Sequence, residues 1–160
     1  MRKVFLTSII AIGIILSVSA QSEEDTNAQR YEVKVITSVE SIVSSGLGRS
    51  RIISTEEERD HKKFTSSRTE DDDERNKSSR KEIRVKNFEE TKLLNFFNIG
   101  GIRFQNIAAN DAVISSKINT MLSQGWDLAF VNSAVESDAG EGDNNGIFIT
   151  RYIFKRLKNN

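Results

Sequence analysis

The sequence predicts an α+β fold: a small antiparallel sheet of about four strands, with one main amphipathic helix packed on one face. Three stretches carry that reading. Tyr31, Val33, Val35, Thr37 and Val39 alternate with Glu32, Lys34, Ile36, Ser38 and Glu40, the period-two pattern of a half-buried strand. Ile114, Ile118, Met121 and Leu122 stand at i, i+4, i+7 and i+8, which gathers them on one helical stripe. Ile147 to Phe154 is apolar or β-branched at nearly every position, as suits a strand covered on much of both faces.

Taken from its start, the chain opens with Arg2 and Lys3, an uncharged run from Val4 to Val18, and small residues up to Ala20. That is the build of a secretory signal peptide cleaved after Ala20. Residues 1–20 are therefore expected to be the signal, 21–29 a polar flexible leader and 30–157 a single α+β domain. The apolar run is shorter than the ~20 residues a spanning helix needs. No membrane span is expected after signal removal, and the address is periplasmic or extracellular. Losing Arg2 and Lys3 turns 23 basic against 23 acidic residues into 21 against 23, a formal charge of −2. Such a balance implies no broadly basic face for nucleic acid.

Beyond the first strand, Ser44-Ser45-Gly46 reads as a turn, and Gly46-Leu47-Gly48-Arg49-Ser50-Arg51 is the one stretch with the makings of a ligand site. Gly46 and Gly48 free backbone amides to curve toward an anion, and Arg49 and Arg51 supply fork-shaped donors. The stretch lacks the last glycine of a dinucleotide fingerprint and the Gly-Lys-Ser/Thr ending of a P-loop. A hairpin turn leading into a strand through Ile52 and Ile53 is the competing reading. Residues 55–82 hold Phe64 as their only large aromatic or long aliphatic side chain amid a crowd of charges, and are expected to be disordered or a solvated loop. Ser54 with Glu57 is spaced as a capping box for a short exposed helix ending near Lys62 and Lys63.

Ile83 and Val85 suggest a strand returning to the domain, and Asn87 with Glu90 forms a second cap pattern. The periodicity of 88–98 suits helix and strand equally. Gly100-Gly101 breaks it, and Ile102, Phe104 and Ile107 alternate toward the main helix, so 83–107 is expected to form an accessory layer on the sheet or its edge. Asn110 or Asp111 is the expected helix N-cap. Gly125 follows the stripe where a positive φ ends a helix at little cost. Trp126, Leu128 and Phe130 then alternate with Asp127 and Ala129, and the loop-like Glu136 to Gly146 implies a long antiparallel hairpin. Gly125, Trp126, Ile118, Leu122 and Leu128 are the expected structural centre, with Trp126 pointing inward.

The run Ile118-Asn-Thr-Met-Leu-Ser-Gln-Gly125-Trp126-Asp-Leu128, closed by Tyr152-Ile-Phe-Lys-Arg156, resembles a small bacterial family, domain of unknown function 4177. The resemblance covers about a third of the chain plus the first strand. It implies a strand–helix–strand–strand module, with a Gly-Trp pair ending the helix and aromatic and basic residues ending the last strand. It supplies no catalytic residues, and this chain departs from the family by its long charged insertion.

The chemistry that these residues offer is sparse. There is no cysteine for a thiol nucleophile, a disulfide or a thiolate metal site. His61, the only histidine, sits in the charged segment and is ill placed as the base of a serine triad. The acidic run Glu70 to Glu74 is expected to repel and extend. Asp138, Glu141, Asp143 and Asn145 lack the spacing of a calcium loop. No metal or cofactor is expected, and the protein is read as a non-catalytic binding or structural module with an unknown protein partner at the cell envelope. The alternative is a small anionic-ligand binder using Gly46 to Arg51. An open apolar patch or sheet edge would favour the first, and a concave pocket beside the arginines the second.

Overall fold

The computed structural model describes residues 30–42, 50–71, 73–98, 100–137 and 146–158. In chain order its elements are β1 (Tyr31–Ser41), β2 (Arg51–Ser54), a 3-10 turn at His61–Phe64, α1 (Arg80–Ile83), β3 (Glu89–Lys92), β4 (Phe97–Asn98), β5 (Gly101–Ile102), α2 (Phe104–Ser123), β6 (Asp127–Glu136) and β7 (Ile147–Leu157). Five strands form one antiparallel sheet in the order β3-β2-β1-β7-β6, and β4 with β5 makes a separate small hairpin. The fold is α+β, with α2 the one main helix.

Register decides which residues share a face, because directly opposed residues point the same way. Ile36 stands opposite Tyr152, Lys34 opposite Phe154 and Ser38 opposite both Ile52 and Thr150. These residues form the covered face. There Ile36, Ile52, Leu93, Met121, Trp126 and Phe154 make the buried core, with Val113, Ile114, Ile118 and Tyr152 packed against it. The other face carries Tyr31, Val33, Val35, Thr37 and Val39 of β1, with Leu157, Lys155, Ile153, Arg151 and Ile149 opposite them on β7.

The main helix starts earlier than its apolar stripe suggests. Phe104 is its first residue, the capping position is Arg103 without a side-chain bond, and Asn110 lies two turns inside. Asn110 is not a cap but a buried polar residue, and Asp111 likewise sits within the helix. Phe104 and Ile107 accordingly belong to α2, and only Ile102 is extended. Ile114, Ile118 and Met121 face the sheet as the stripe requires. Leu122 does not: it is 47% exposed. The inward stripe runs through Val113, Ile114, Ile118 and Met121, and Leu122, one residue past Met121, is turned roughly 100° away.

At the helix end Gly125 adopts φ +80. Its amide donates to the Leu122 carbonyl at 3.0 Å and the Trp126 amide to the Met121 carbonyl at 3.1 Å, the paired bonds of a Schellman turn. That turn drops Trp126 into the core. Arg156 from β7 closes it: its guanidinium lies 4.3 Å from the Trp126 ring centre, bonds the Gln124 carbonyl at 3.0 Å and pairs with Glu32 at 2.6 Å.

Leu128 is 40% exposed, contrary to its expected core position. The core gathers under α2 on β1, β2 and β7, which leaves β6 overhanging. Leu128 opposes Phe154, yet Phe130 opposes Ile153, so Ala129 is the extra residue of a bulge. The bulge breaks the period of two and moves Phe130 to the uncovered face.

The charged segment leaves the sheet after Ser54 and returns at Glu89, its base closed by the pairing of these two residues. Its described residues are solvated and carry two short turns. Asp60 caps the 3-10 turn by accepting from the Lys62 amide at 3.1 Å, and Glu82 accepts from the Ser79 amide at 3.2 Å. The Ser54–Glu57 and Asn87–Glu90 pairs are not caps, because they serve tertiary bonds: Ser54 bonds Glu89 and Asn87 bonds Glu57. Ile83 falls in α1 and Val85 outside any strand. The strand of this region is β3, which adds a fifth member to the sheet, and Leu93 directly after it enters the core.

Candidate functional site

A polar network is built into the covered face. Asn110 is 1% exposed, and its side chain is fully used. Its Oδ1 accepts from the Leu94 amide at 2.8 Å, and its Nδ2 donates to the Leu94 carbonyl at 2.7 Å and to Glu40 Oε2 at 2.8 Å. Burial pushes the Glu40 carboxyl above its ordinary value; the Asn110 bond works against that shift, and nearby Asp111 adds to it. Burial likewise raises the Tyr152 phenol. Beside them Ser50 Oγ accepts from the Ser41 amide at 2.9 Å and donates to Asn95 at 2.7 Å. The result is a polar clamp tying β1, α2 and the segment after β3 together. Glu40 is the one carboxyl here in a setting that would suit acid–base work, but it is buried against its own partners rather than open to a cleft.

Among the described residues, two clefts lie along the charged segment. One of about 510 Å³ is lined by Ser54 to Glu57 and Lys86 to Glu89. Its carboxylates are engaged: Glu56 pairs with Lys34, Glu57 with Arg59, and Glu89 with Lys117 at 3.0 Å. The Arg59 bond holds Glu57 below the usual carboxylate range, and the Lys117 bond does the same for Glu89. A second cleft of about 450 Å³ lies between Glu58, Arg59, Asp60, Lys63, Phe64 and Glu82. His61 is exposed on the neighbouring turn. Among the described residues no three of His, Asp and Glu gather as a metal site would require.

Of the predicted anion-binding stretch, Gly46, Gly48 and Arg49 lie outside the described residues, as do Asp138, Glu141, Asp143 and Asn145. Arg51 is on β2, where its Nη1 donates to the Ser50 carbonyl at 2.8 Å and its Nε lies 4.0 Å from Glu90. It points to the uncovered face, and neither cleft contains it.

That uncovered face is the larger feature. Tyr31, Val33, Val35, Phe130 and Leu157 are all exposed there, Phe130 at 69%, while Val39, Ile53, Ile149 and Ile153 are half-buried between them. No described element packs over them. Arg151 and Lys155 rise from the middle of this surface, with Lys155 lying over the Tyr31 ring at 5.3 Å, and Asp127 and Glu90 stand toward its margins. Sequence reasoning missed this site because an apolar strand looks the same whether one or two layers cover it. The signal that pointed to it was Val33, Val35 and Tyr31 alternating with a second set that includes Ile36, so that both faces of β1 carry apolar residues. Family models, curated proteins and solved structures were all compared with this chain, and none matches it.

Proposed function

We propose that the protein is an exported, non-catalytic module of the cell envelope that holds a protein partner on the uncovered sheet face. The observation that carries this reading is the row Tyr31, Val33 and Val35 standing exposed beside Phe130 and Leu157. Exposed apolar residues gathered on one sheet face in this way mark an interaction surface. With Arg151 and Lys155 set among the apolar residues, the fitting partner presents an apolar surface bearing carboxylates. The described carboxylates of the larger cleft are tied to cations or amides, which supports binding or scaffolding over catalysis. Kinship with the domain of unknown function 4177 family is part of the proposal. It is supported by the order β1, α2, β6, β7 and by the meeting of Gly125, Trp126 and Arg156 at one turn. The leader's composition supports export, and no helix among the described residues is long and apolar enough to cross a membrane.

Capture from envelope extract by the wild-type protein, by Val35→Glu and by Arg151→Glu is the test, followed by rebinding of the purified partner. The expected result is a partner retained by wild type and lost by both variants at unchanged melting temperature. Equal capture by all three, or no partner dependent on this face, overturns the reading.

A further inference from the structure

The geometry points to a second surface with a different occupant: the free edge of β6 pairs antiparallel with β6 of a second copy of this chain, about a two-fold axis at Ser133. Among the described residues no strand lies beyond β6, while its other side is paired with β7 along its length except at the Ala129 bulge. A row of unpaired backbone amides and carbonyls recruits another strand unless the edge is defended. The opposite edge is defended. β3 is four residues long and reads Glu-Glu-Thr-Lys. β6 is ten residues long, and from Leu128 to Val135 it contains no charge and no proline. Its bulge lies near one end, which leaves Phe130 to Glu136 in regular register with β7. Since the core gathers on the other strands, Val131 and Val135 are exposed even on the helix-bearing face, at 52% and 59%.

The sequence of this edge is complementary to itself. With the axis at Ser133, Val131 meets Val135 of the second copy, and Val135 meets its Val131, around a central Ser133 pair. Opposed β-branched residues are a favourable cross-strand pair. On the other face Asn132 meets Ala134 and Phe130 meets Glu136, so no like charges face each other. The arrangement is isologous and closes at two copies instead of growing into a fibre. It gives one ten-stranded sheet and places the two uncovered faces side by side. This pairing uses the edge, not the face proposed to hold a partner, so either can fail alone.

Sedimentation of the purified protein across about 1–300 µM reads the pairing directly, and the two exposed valines supply register-specific variants. Val131→Lys and Val135→Glu should each weaken dimerisation tenfold or more without changing the melting temperature. Mixing the two variants should restore a heterodimer, because the introduced lysine of one chain then faces the introduced glutamate of the other. Ser133→Cys, in a chain with no other cysteine, should cross-link on oxidation, whereas Asn132→Cys should not. A protein monomeric at every concentration overturns the inference. So does a dimer indifferent to Val131→Lys but abolished by Val35→Glu, which would place self-association on the open face.

Discussion

Replacing Asn110 tests whether the polar clamp holds the second half of the domain in place. Asn110→Ala removes three hydrogen bonds at once, two to Leu94 and one to Glu40. A net contribution of about 1 kcal/mol for each backbone bond and about 1.5–3 for the bond to a charged group sums to roughly 3.5–5 kcal/mol. Water reaching the partly exposed Leu94 backbone recovers some of this, so a loss of about 3 kcal/mol is expected in urea titrations at constant m. Asn110→Asp sharpens the test. It keeps an acceptor for the Leu94 amide, gives up both donors, and sets a second carboxylate against Glu40. At pH 7.5 it should be less stable than the alanine variant, and that deficit should shrink in acid as the two carboxyls take up a proton. Amide exchange at Leu94 should accelerate in the alanine variant, which alone removes the acceptor. A loss below about 1 kcal/mol for Asn110→Ala, or an aspartate variant as stable as the alanine variant at pH 7.5, would refute the clamp.

Glu40 makes a linked prediction. Its folded value is raised by burial, so its contribution to stability is fully present below the unfolded carboxyl value and is lost as pH rises through the folded one. Glu40→Gln should remove that loss and melt higher than wild type at neutral pH; a lower melting temperature there would count against it. Glu57 and Glu89 act in the opposite sense, because their folded values are lowered: their contribution is present above the unfolded value and fades as pH falls through the folded ones. Trp126→Ala should cost about 3–5 kcal/mol, the usual range for emptying a buried aromatic site, and stability like wild type would refute its role as core anchor. Gly125→Ala should cost about 1–2 kcal/mol from the backbone alone, since an added Cβ would meet only Arg156 Cδ at 3.7 Å; a loss well beyond that range would show packing that this geometry lacks. Replacing residues 60–82 with a short Gly/Ser linker should leave the near-ultraviolet circular dichroism intact, because the closing pair Ser54–Glu89 stays in place.

β1 was legible from ten alternating residues, α2 from its apolar stripe, and β7 from a nearly unbroken apolar run. β3 was not. Glu-Glu-Thr-Lys has no apolar stripe, and it is a strand only because Ile52 and Ile53 of β2 stand ready to pair with it. Asn110 was misread for a definite reason: a short polar residue before an apolar stripe looks the same as an N-cap and as a buried clamp. What separates them is Leu94, brought close only by the fold. The bulge was hidden too, since Ala129 suits either side of a strand. The uncovered face escaped because strand composition reports apolarity and not the presence of a second layer. Arg51 was read as a donor to an anion, and in the fold its Nη1 donates to the carbonyl of its own neighbour Ser50.

The central place of β1 in the sheet governs when this protein can fold. Its longest pairing, Tyr31 opposite Leu157 through Ser41 opposite Ile147, joins the first described strand to the last. Until β7 exists, β1 has only four-residue β2 beside it, and apolar side chains on both its faces meet water. At synthesis rates of about 5–20 residues per second the wait lasts roughly ten seconds. Pairing of β1 along that side must therefore wait until β7 has been made. A stop codon early in the β7 segment would remove Tyr152, Phe154 and Arg156 together, leaving β1 without its partner and Trp126 without its lid.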